Sequence, residues 1–166
     1  MSRQIRAFSL ADLPQMMEIW NEVVRDGVAF PQTEPLASRE EASRFFSEQS
    51  FTGVAETDGA VRGLYILHPN NIGRCGHIAN ASYAVSSAFR GQKDGEALVR
   101  HSLQMAGELG FRIMQFNAVV SSNAPALHLY EKIGFQRLGV VPGGFRMKDG
   151  SYSDIVLFYY LIQPEE

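Results

Sequence analysis

Arg90, Gly91, Lys93 and Gly95 fall within one short stretch, SSAFRGQKDGEAL. Glycines let a backbone approach a ligand closely, and the cations among them suit an anion. The residues before it, HIANASYAV, alternate: Ala79, Ala81, Tyr83 and Val85 share one parity, with Asn80 and Ser82 on the other. That pattern predicts a strand with a packed face and a more polar face. The residues after it place apolar groups at Leu98, Leu103 (beside Ser102), Ala106 and Leu109, close to helical spacing, until Gly110 stops the run. A strand that feeds a glycine-containing turn and then a helix aims several backbone N–H groups one way. The helix dipole adds partial positive charge at the same place. The turn is therefore a candidate phosphate cradle. An ordinary strand-to-helix turn with a surface Arg and Lys fits the same residues, and so short a glycine motif does not decide between the two.

Other reactive residue types are sparse. His68, His77, His101 and His128 show no ligand-like pairing, and Cys75 is the only cysteine, so no metal site and no intrachain disulfide are expected. No G-x-G-x-x-G follows an early strand, which argues against a dinucleotide-binding fold. A net charge of −3 leaves no electrostatic footprint for nonspecific nucleic-acid binding. The N-terminal MSRQIRAFSL lacks an apolar h-region and no run reaches membrane-spanning length, so the expectation is a cytoplasmic protein with no membrane partner.

At 166 residues, 45% hydrophobic and 20% charged, the chain suits one domain, residues 1–166, with a sizeable core. Gln4 to Phe8 reads as a first strand. Ser9 and Asp12 mark a helix start, with Pro14 in its early turn and Leu13, Met16, Met17, Trp20, Val23 and Val24 on its core face. Gly27, Pro31 and Pro35 interrupt helix, and the apolar Val28-Ala29-Phe30 tip must pack on the domain or close over a ligand. Ser38 with Glu41 is a capping-box signature for a second helix, with Phe45 and Phe46 as anchors. Asp58-Gly59 joins two strands in a hairpin. Phe111 to Val120 is a buried strand, Asn123 caps a helix ending at Gly134, and Gln136 to Val141 and Ile155 to Ile162 are further strands. Pro142, Gly143, Gly144 and Gly150 fall in the loop between those last two. The predicted order is β-α-α-β-β-β-α-β-α-β-β. It implies an α/β fold whose central mixed twisted sheet is partly parallel and carries helices on both faces.

With those elements in place, the chain resembles the GCN5-related N-acetyltransferase (GNAT) superfamily over essentially its whole length. Tyr83-Ala84-Val85 followed by Phe89-Arg90-Gly91-Gln92-Lys93-Asp94-Gly95 is similar to the superfamily's acyl-CoA pyrophosphate loop. Asn123 to Phe135, NAPALHLYEKIGF, is a closer match to its second motif. Residues 139–146 and 150–154 resemble branches that acylate small amines, amino acids or protein N-termini. The resemblance implies transfer of an acetyl group from acetyl-CoA, as cosubstrate, to a primary amine of a small molecule, amino acid or peptide, through a tetrahedral intermediate. It implies cosubstrate contacts from Val85, Ser86, Ser87, Arg90, Gly91, Gln92, Lys93, Asp94, Gly95, Glu96, Asn123 and Tyr130. It also implies an oxyanion-stabilising backbone N–H around Ala84 or Val85, and Tyr130 as the acid that protonates the departing thiolate. Residues on that amphipathic helix also suit the core, and periodicity alone favours that reading of Tyr130. Phe30 is a candidate lid, and Glu34, Asn80 and Tyr152 are candidate substrate contacts. An exposed C-terminal strand of this architecture often pairs between subunits, so a homodimer is a further implication.

Some residues depart from the superfamily pattern. Lys93 stands where a glycine is usual and Asp94 where an apolar residue is usual. An acid beside a diphosphate is unfavourable unless it turns away as a helix cap. Asn80 stands where related branches carry a glutamate base, and an amide takes no proton usefully. The base is then Glu34, His77, a water-mediated group, or none. The alternative function is a degenerate CoA- or metabolite-binding regulator without catalysis.

Overall fold

The computed structural model describes residues 2–163. In chain order the elements are β1 Gln4–Ala7, α1 Leu13–Asp26, α2 Arg39–Ser47, β2 Phe51–Thr57, β3 Ala60–Pro69, β4 Ile78–Val85, α3 Asp94–Glu108, β5 Ile113–Val120, α4 Ala124–Ile133, β6 Gln136–Arg146 and β7 Tyr152–Leu161. This is the order that the patterning predicts. Local chemistry explains most boundaries. Ser38 Oγ accepts the Glu41 N–H at 3.1 Å, while the Glu41 carboxylate reaches back to the Ala37 N–H at 2.7 Å, so the predicted box closes one residue early. Asn123 Oδ1 accepts the Ala126 N–H at 3.3 Å and caps α4. Asp58 and Gly59 both take positive φ, 53° and 79°, as a tight hairpin turn requires.

All seven strands form one sheet in the order β1-β2-β3-β4-β5-β7-β6. Every neighbouring pair is antiparallel except β4 with β5. Helices cover both faces. On one, Leu13, Met16, Trp20 and Val24 of α1 and Phe46 of α2 pack on Val54, Leu64 and Ile66. On the other, Leu98, Val99 and Ala106 of α3 pack on Tyr65, Leu67, Met114 and Phe158, with Tyr130 of α4 against them. Trp20 is 1% exposed and Met16 fully buried, as expected of a core face.

β6 is longer than its sequence suggests. Pro142, Gly143 and Gly144 belong to it rather than to a loop, and β7 begins at Tyr152 rather than Ile155. β6 is an edge strand, where a proline forfeits no ladder bond, and its pairing with β7 is irregular between Val141 and Phe145. Asp154 Oδ1 accepts the Gly143 N–H at 2.9 Å and holds this irregular segment to β7.

The feature that positions the site is the one parallel pair. β4 and β5 are eight residues each, yet they pair only at Ile78 with Ile113 and Ala79 with Met114. Beyond Ala79 the strands part and leave an open V at the middle of the sheet.

Candidate active site

A cleft of about 310 Å³ occupies that V. Its walls come from Asn80, Ala81, Ser82 and Tyr83 of β4, residues 116–120 of β5, Asn123, Ala126 and Tyr130 around α4, and Ala29, Phe30 and Pro31 of the α1–α2 connection. The register of β4 decides which backbone groups face the cleft. Ser86 N–H donates to the Arg62 carbonyl on β3 at 2.8 Å. Backbone direction alternates along a strand, so Ala84 N–H also points at β3 and the N–H groups of Tyr83 and Val85 point into the gap. Of the two residues expected to supply an oxyanion donor, only Val85 has the right phase. Ala81 N–H, also on that side, is taken by Asn80 Oδ1 at 2.8 Å.

The glycine turn meets the same place. A Cβ on Gly95 would lie 3.8 Å from Val85 Cγ2 and 3.9 Å from Leu129 Cδ2, so the start of α3 sits between the end of β4 and α4. Glu96 extends this junction by pairing with Lys132 of α4 at 2.7 Å, and that ammonium holds the Glu96 carboxyl below the usual glutamate range. No side chain caps α3. Its first N–H groups therefore remain available to an anion, in line with the cradle reading.

The residues that break the superfamily pattern are accommodated by the fold. Lys93 takes φ 64°, the left-handed conformation that glycine adopts freely, and its side chain is exposed. Asp94 does turn away from the cradle, but not as a helix cap, because the capping position is Lys93. Asp94 is 2% exposed, and its carboxylate pairs with Arg3 Nε at 2.7 Å, while another nitrogen of Arg3 donates to the Gln92 carbonyl at 2.5 Å. The turn is tied down elsewhere too. Arg62 donates to Gln92 Oε1 at 2.6 Å and lies 4.5 Å over the Phe89 ring. Glu22 accepts Ser87 N–H and Ser87 Oγ, both at 2.9 Å, and these bonds hold its carboxyl below the usual range. Ser86 Oγ accepts the Ala88 N–H, and Arg90 lies 3.5 Å from Asp26 with its guanidinium exposed. Gly91 takes φ 82° at the tip.

Three tyrosines cluster near the cleft, and their hydroxyls differ. Tyr65 OH shares a proton with His101 Nδ1 at 2.8 Å, and Tyr83 OH with Ser102 Oγ at 2.6 Å. Tyr130 OH has no protein partner among the described residues, although its ring packs on Phe116 with centroids 4.6 Å apart. Burial pushes the phenols of Tyr83 and Tyr130 well above the ordinary tyrosine value. Tyr130 therefore stays protonated through neutral pH and holds an uncommitted proton at the cleft wall.

The V carries amides rather than acids near its closed end. Asn70 Oδ1 accepts from Asn80 Nδ2 at 3.3 Å and from Asn117 Nδ2 at 2.5 Å, and Gln115 Nε2 donates to Asn117 Oδ1 at 3.1 Å. No carboxylate or histidine lines the cleft among the described residues. Glu34 is exposed and lines neither this cleft nor its neighbour across Phe30 and Pro31, and neither does Tyr152, at 67% exposure on the first residue of β7. His77 is exposed at the closed end of the V. Phe30 is 6% exposed, stacks on Trp20 with centroids 4.4 Å apart and also lines the cleft, so its packing and lining roles coexist. Sequence reasoning missed Arg3, Tyr83, Asn117 and the clamp residues Glu22 and Arg62. Only Tyr83 carries a local signal, its place in the alternating strand and at the head of the turn motif; the others belong to no local motif.

Known proteins share this architecture. The model of the Acetyltransferase (GNAT) family matches residues 13–135. N-acetyltransferase aca1 of Schizosaccharomyces pombe is 32% identical over 99 residues, which are 59% of this chain and 47% of that protein. YwnH of Bacillus subtilis, provisionally named a phosphinothricin acetyltransferase, is 30% identical over 149 residues, 87% of this chain and 90% of that one. A GNAT superfamily phosphinothricin acetyltransferase from Sinorhizobium meliloti, solved in complex with acetyl-CoA, superposes with a TM-score of 0.88 at 25% identity, covering 100% of this chain and 95% of that one. The chain belongs to the GNAT family of acetyltransferases.

Proposed function

We propose that the protein transfers an acetyl group from acetyl-CoA to the primary amine of a small molecule, amino acid or peptide by direct attack. The observation that carries this reading is the coincidence, at one V in the sheet, of an uncapped helix N-terminus, an inward-facing strand N–H and an uncommitted phenol. Acetyl-CoA supplies the activated acyl group, and each residue role follows from position. The first N–H groups of α3, with Arg90, Gly91, Gln92, Lys93 and Gly95 around them, suit the diphosphate. Asp94, Glu96, Ser86 and Ser87 shape the turn through their own bonds. Val85 N–H donates to the carbonyl oxygen as negative charge develops there. Asn123 lines the cleft while capping α4. Tyr130 gives its proton to the departing sulfur. With no base in the wall, the acceptor amine enters the reaction in its neutral form.

A non-catalytic relative is the weaker reading. It rests on Lys93, Asp94 and Asn80, yet Arg3 neutralises Asp94 and Lys93 is exposed. The proposed setting is the cytoplasm, in keeping with an exposed, unpaired Cys75. The proposed assembly is a homodimer through the β6 edge, where Leu138, Val140 and Val141 are exposed. Light scattering tests the assembly. Calorimetric titration with acetyl-CoA, followed by thiol release across an amine panel, tests the activity. Micromolar binding with acceptor-dependent thiol release is expected, and absence of both overturns the reading.

A further inference from the structure

A second cleft, of about 620 Å³, lies on the other side of the Phe30-Pro31 wall that lines the first. It is bounded by the end of α1, the chain after Gly27 and the end of β6 with its turn toward β7. Arg25, Arg146 and Lys148 line it, Gln32 and Thr33 add neutral polar groups, and no carboxylate is among the lining residues. The chain carries a net charge of −3, so this local excess of cations does not follow from composition.

The neighbouring acids are engaged elsewhere. Asp26 faces Arg90 at 3.5 Å, Asp149 accepts the N–H and hydroxyl of Ser151, and Glu34 lies outside the lining. Lys148 Nζ donates to the Arg25 carbonyl at 2.6 Å, which fixes its ammonium at the end of α1 and partly serves the helix dipole. Gly27 makes that fixation possible, because a Cβ there would meet the Lys148 stem at 2.6 Å. Arg25 and Arg146 form no ion pair among the described residues and keep their donors free.

We infer that this second cleft receives the acceptor and selects an amine that also carries an anionic group, a carboxylate or a phosphonate, held by Arg25 and Arg146. The inference rests on the acetyl-transfer reading of the first cleft. An alkylamine in water is an ammonium ion, and a cleft with three cations repels it unless the same molecule brings an anion. The surrounding positive charge then favours the neutral amine, the form needed where the wall of the first cleft offers no base. The anion stays with the guanidiniums while the amine passes Phe30 and Pro31 toward Val85 and Tyr130. Polyamines and lysine-rich peptides are excluded by the same charge.

The test begins with acetyl-CoA calorimetry. Failure there overturns the acetyl-transfer reading itself and is distinguishable from failure at the acceptor. Given binding, thiol release is then measured with matched trios: an amino acid, its amide and its decarboxylated amine, over several side chains, with aminoalkylphosphonates and a polyamine alongside. The acid of each trio is expected to exceed its amide and amine about tenfold in kcat/KM, as a charge-assisted contact to a guanidinium allows. Arg146→Gln and Arg25→Gln should each raise KM for the acid about tenfold, leave acetyl-CoA affinity unchanged and raise the decarboxylated amine's rate, since one repelling cation is gone. Arg146→Glu should turn the preference toward the polyamine. Equal rates across a trio, or an unmoved KM in Arg146→Gln, overturns the inference. If no acceptor turns over, thermal shift of the CoA-bound protein by an aminoalkylphosphonate decides instead: a shift lost in Arg146→Gln supports the site, and no shift overturns it.

Discussion

The turn that opens α3 and the strand wall of β4 both depart from the superfamily pattern, and the fold treats them differently. At the turn, Lys93 and Asp94 replace a glycine and an apolar residue, yet the groups suited to an anion are backbone N–H groups, and these stay in place. The altered side chains are displaced outward and inward, and Arg3 neutralises the buried one. At the wall, Asn80 replaces a group whose use would lie in its own side chain. Nothing nearby restores a proton acceptor, because Asn70 and Asn117 are amides too. A function carried by backbone survives side-chain change if the conformation is kept, whereas a function carried by one titratable atom does not.

Tyr130 gives the largest expected effect and tests the side-chain half of the contrast. Tyr130→Phe should lower kcat about hundredfold, the contribution typical of a positioned acid, while acetyl-CoA affinity stays within about twofold. An unchanged kcat, measured by thiol release, would remove the acid assignment.

Arg3 tests the backbone half. Arg3→Ala leaves the Asp94 carboxylate buried with no cation, which should destabilise the fold by about 2 kcal/mol and lower Tm by about 4–8 °C. It should also weaken acetyl-CoA about tenfold by loosening the turn, with kcat at saturation preserved. Asp94→Leu combined with Arg3→Ala should recover most of the stability, since the orphaned charge is then gone. Thermal melts and calorimetry separate these outcomes. If Arg3→Ala leaves affinity unchanged, the turn is rigid without its clasp and the contrast loses its first half.

The pH profile sharpens the wall. With no enzyme base, log kcat/KM should rise with unit slope up to the acceptor's own amine pKa, so its inflection moves when the acceptor is exchanged. Burial raises the phenols of Tyr130 and Tyr83, so the protonated acid persists upward and no falling limb is expected below the ordinary tyrosine value of about 10. Asn80→Glu should add about tenfold at pH values below the amine pKa and little above it. An inflection fixed near neutrality in the unsubstituted protein, whichever amine is used, would reveal a base after all.

The element order was legible because each helix and strand announces itself locally: Ser38 and Asn123 by capping, Asp58-Gly59 by turn chemistry, β4 by alternation. Proline and glycine misled at residues 142–144, because an edge strand tolerates them where a central strand does not. The turn proposed for the acyl donor reads as one motif, since turn, strand end and helix start are contiguous in the chain. The rest of the site depends on distant partners. Arg3 and Asp94 are 91 positions apart, and Glu22 and Ser87 are 65 apart. The second cleft gathers its cations from the end of α1, the end of β6 and the turn after it. No periodicity reports such meetings, and Glu34 and Tyr152, candidate substrate contacts from the sequence, line neither cleft.

Lys93 offers the smallest effect and the finest test. Its left-handed φ costs about 1–2 kcal/mol for a residue with a Cβ, of which glycine would recover part and lose about 0.5–1 kcal/mol to unfolded-state entropy. Lys93→Gly should therefore raise Tm by about 1–2 °C. The lost cation is exposed and flexible, so acetyl-CoA affinity should fall by no more than about fivefold, the worth of a surface ion pair. A loss beyond tenfold would show that the ammonium, rather than the N–H groups of α3, holds the diphosphate. The turn would then be a side-chain site like the wall opposite it, and its tolerance of Asp94 would need another cause.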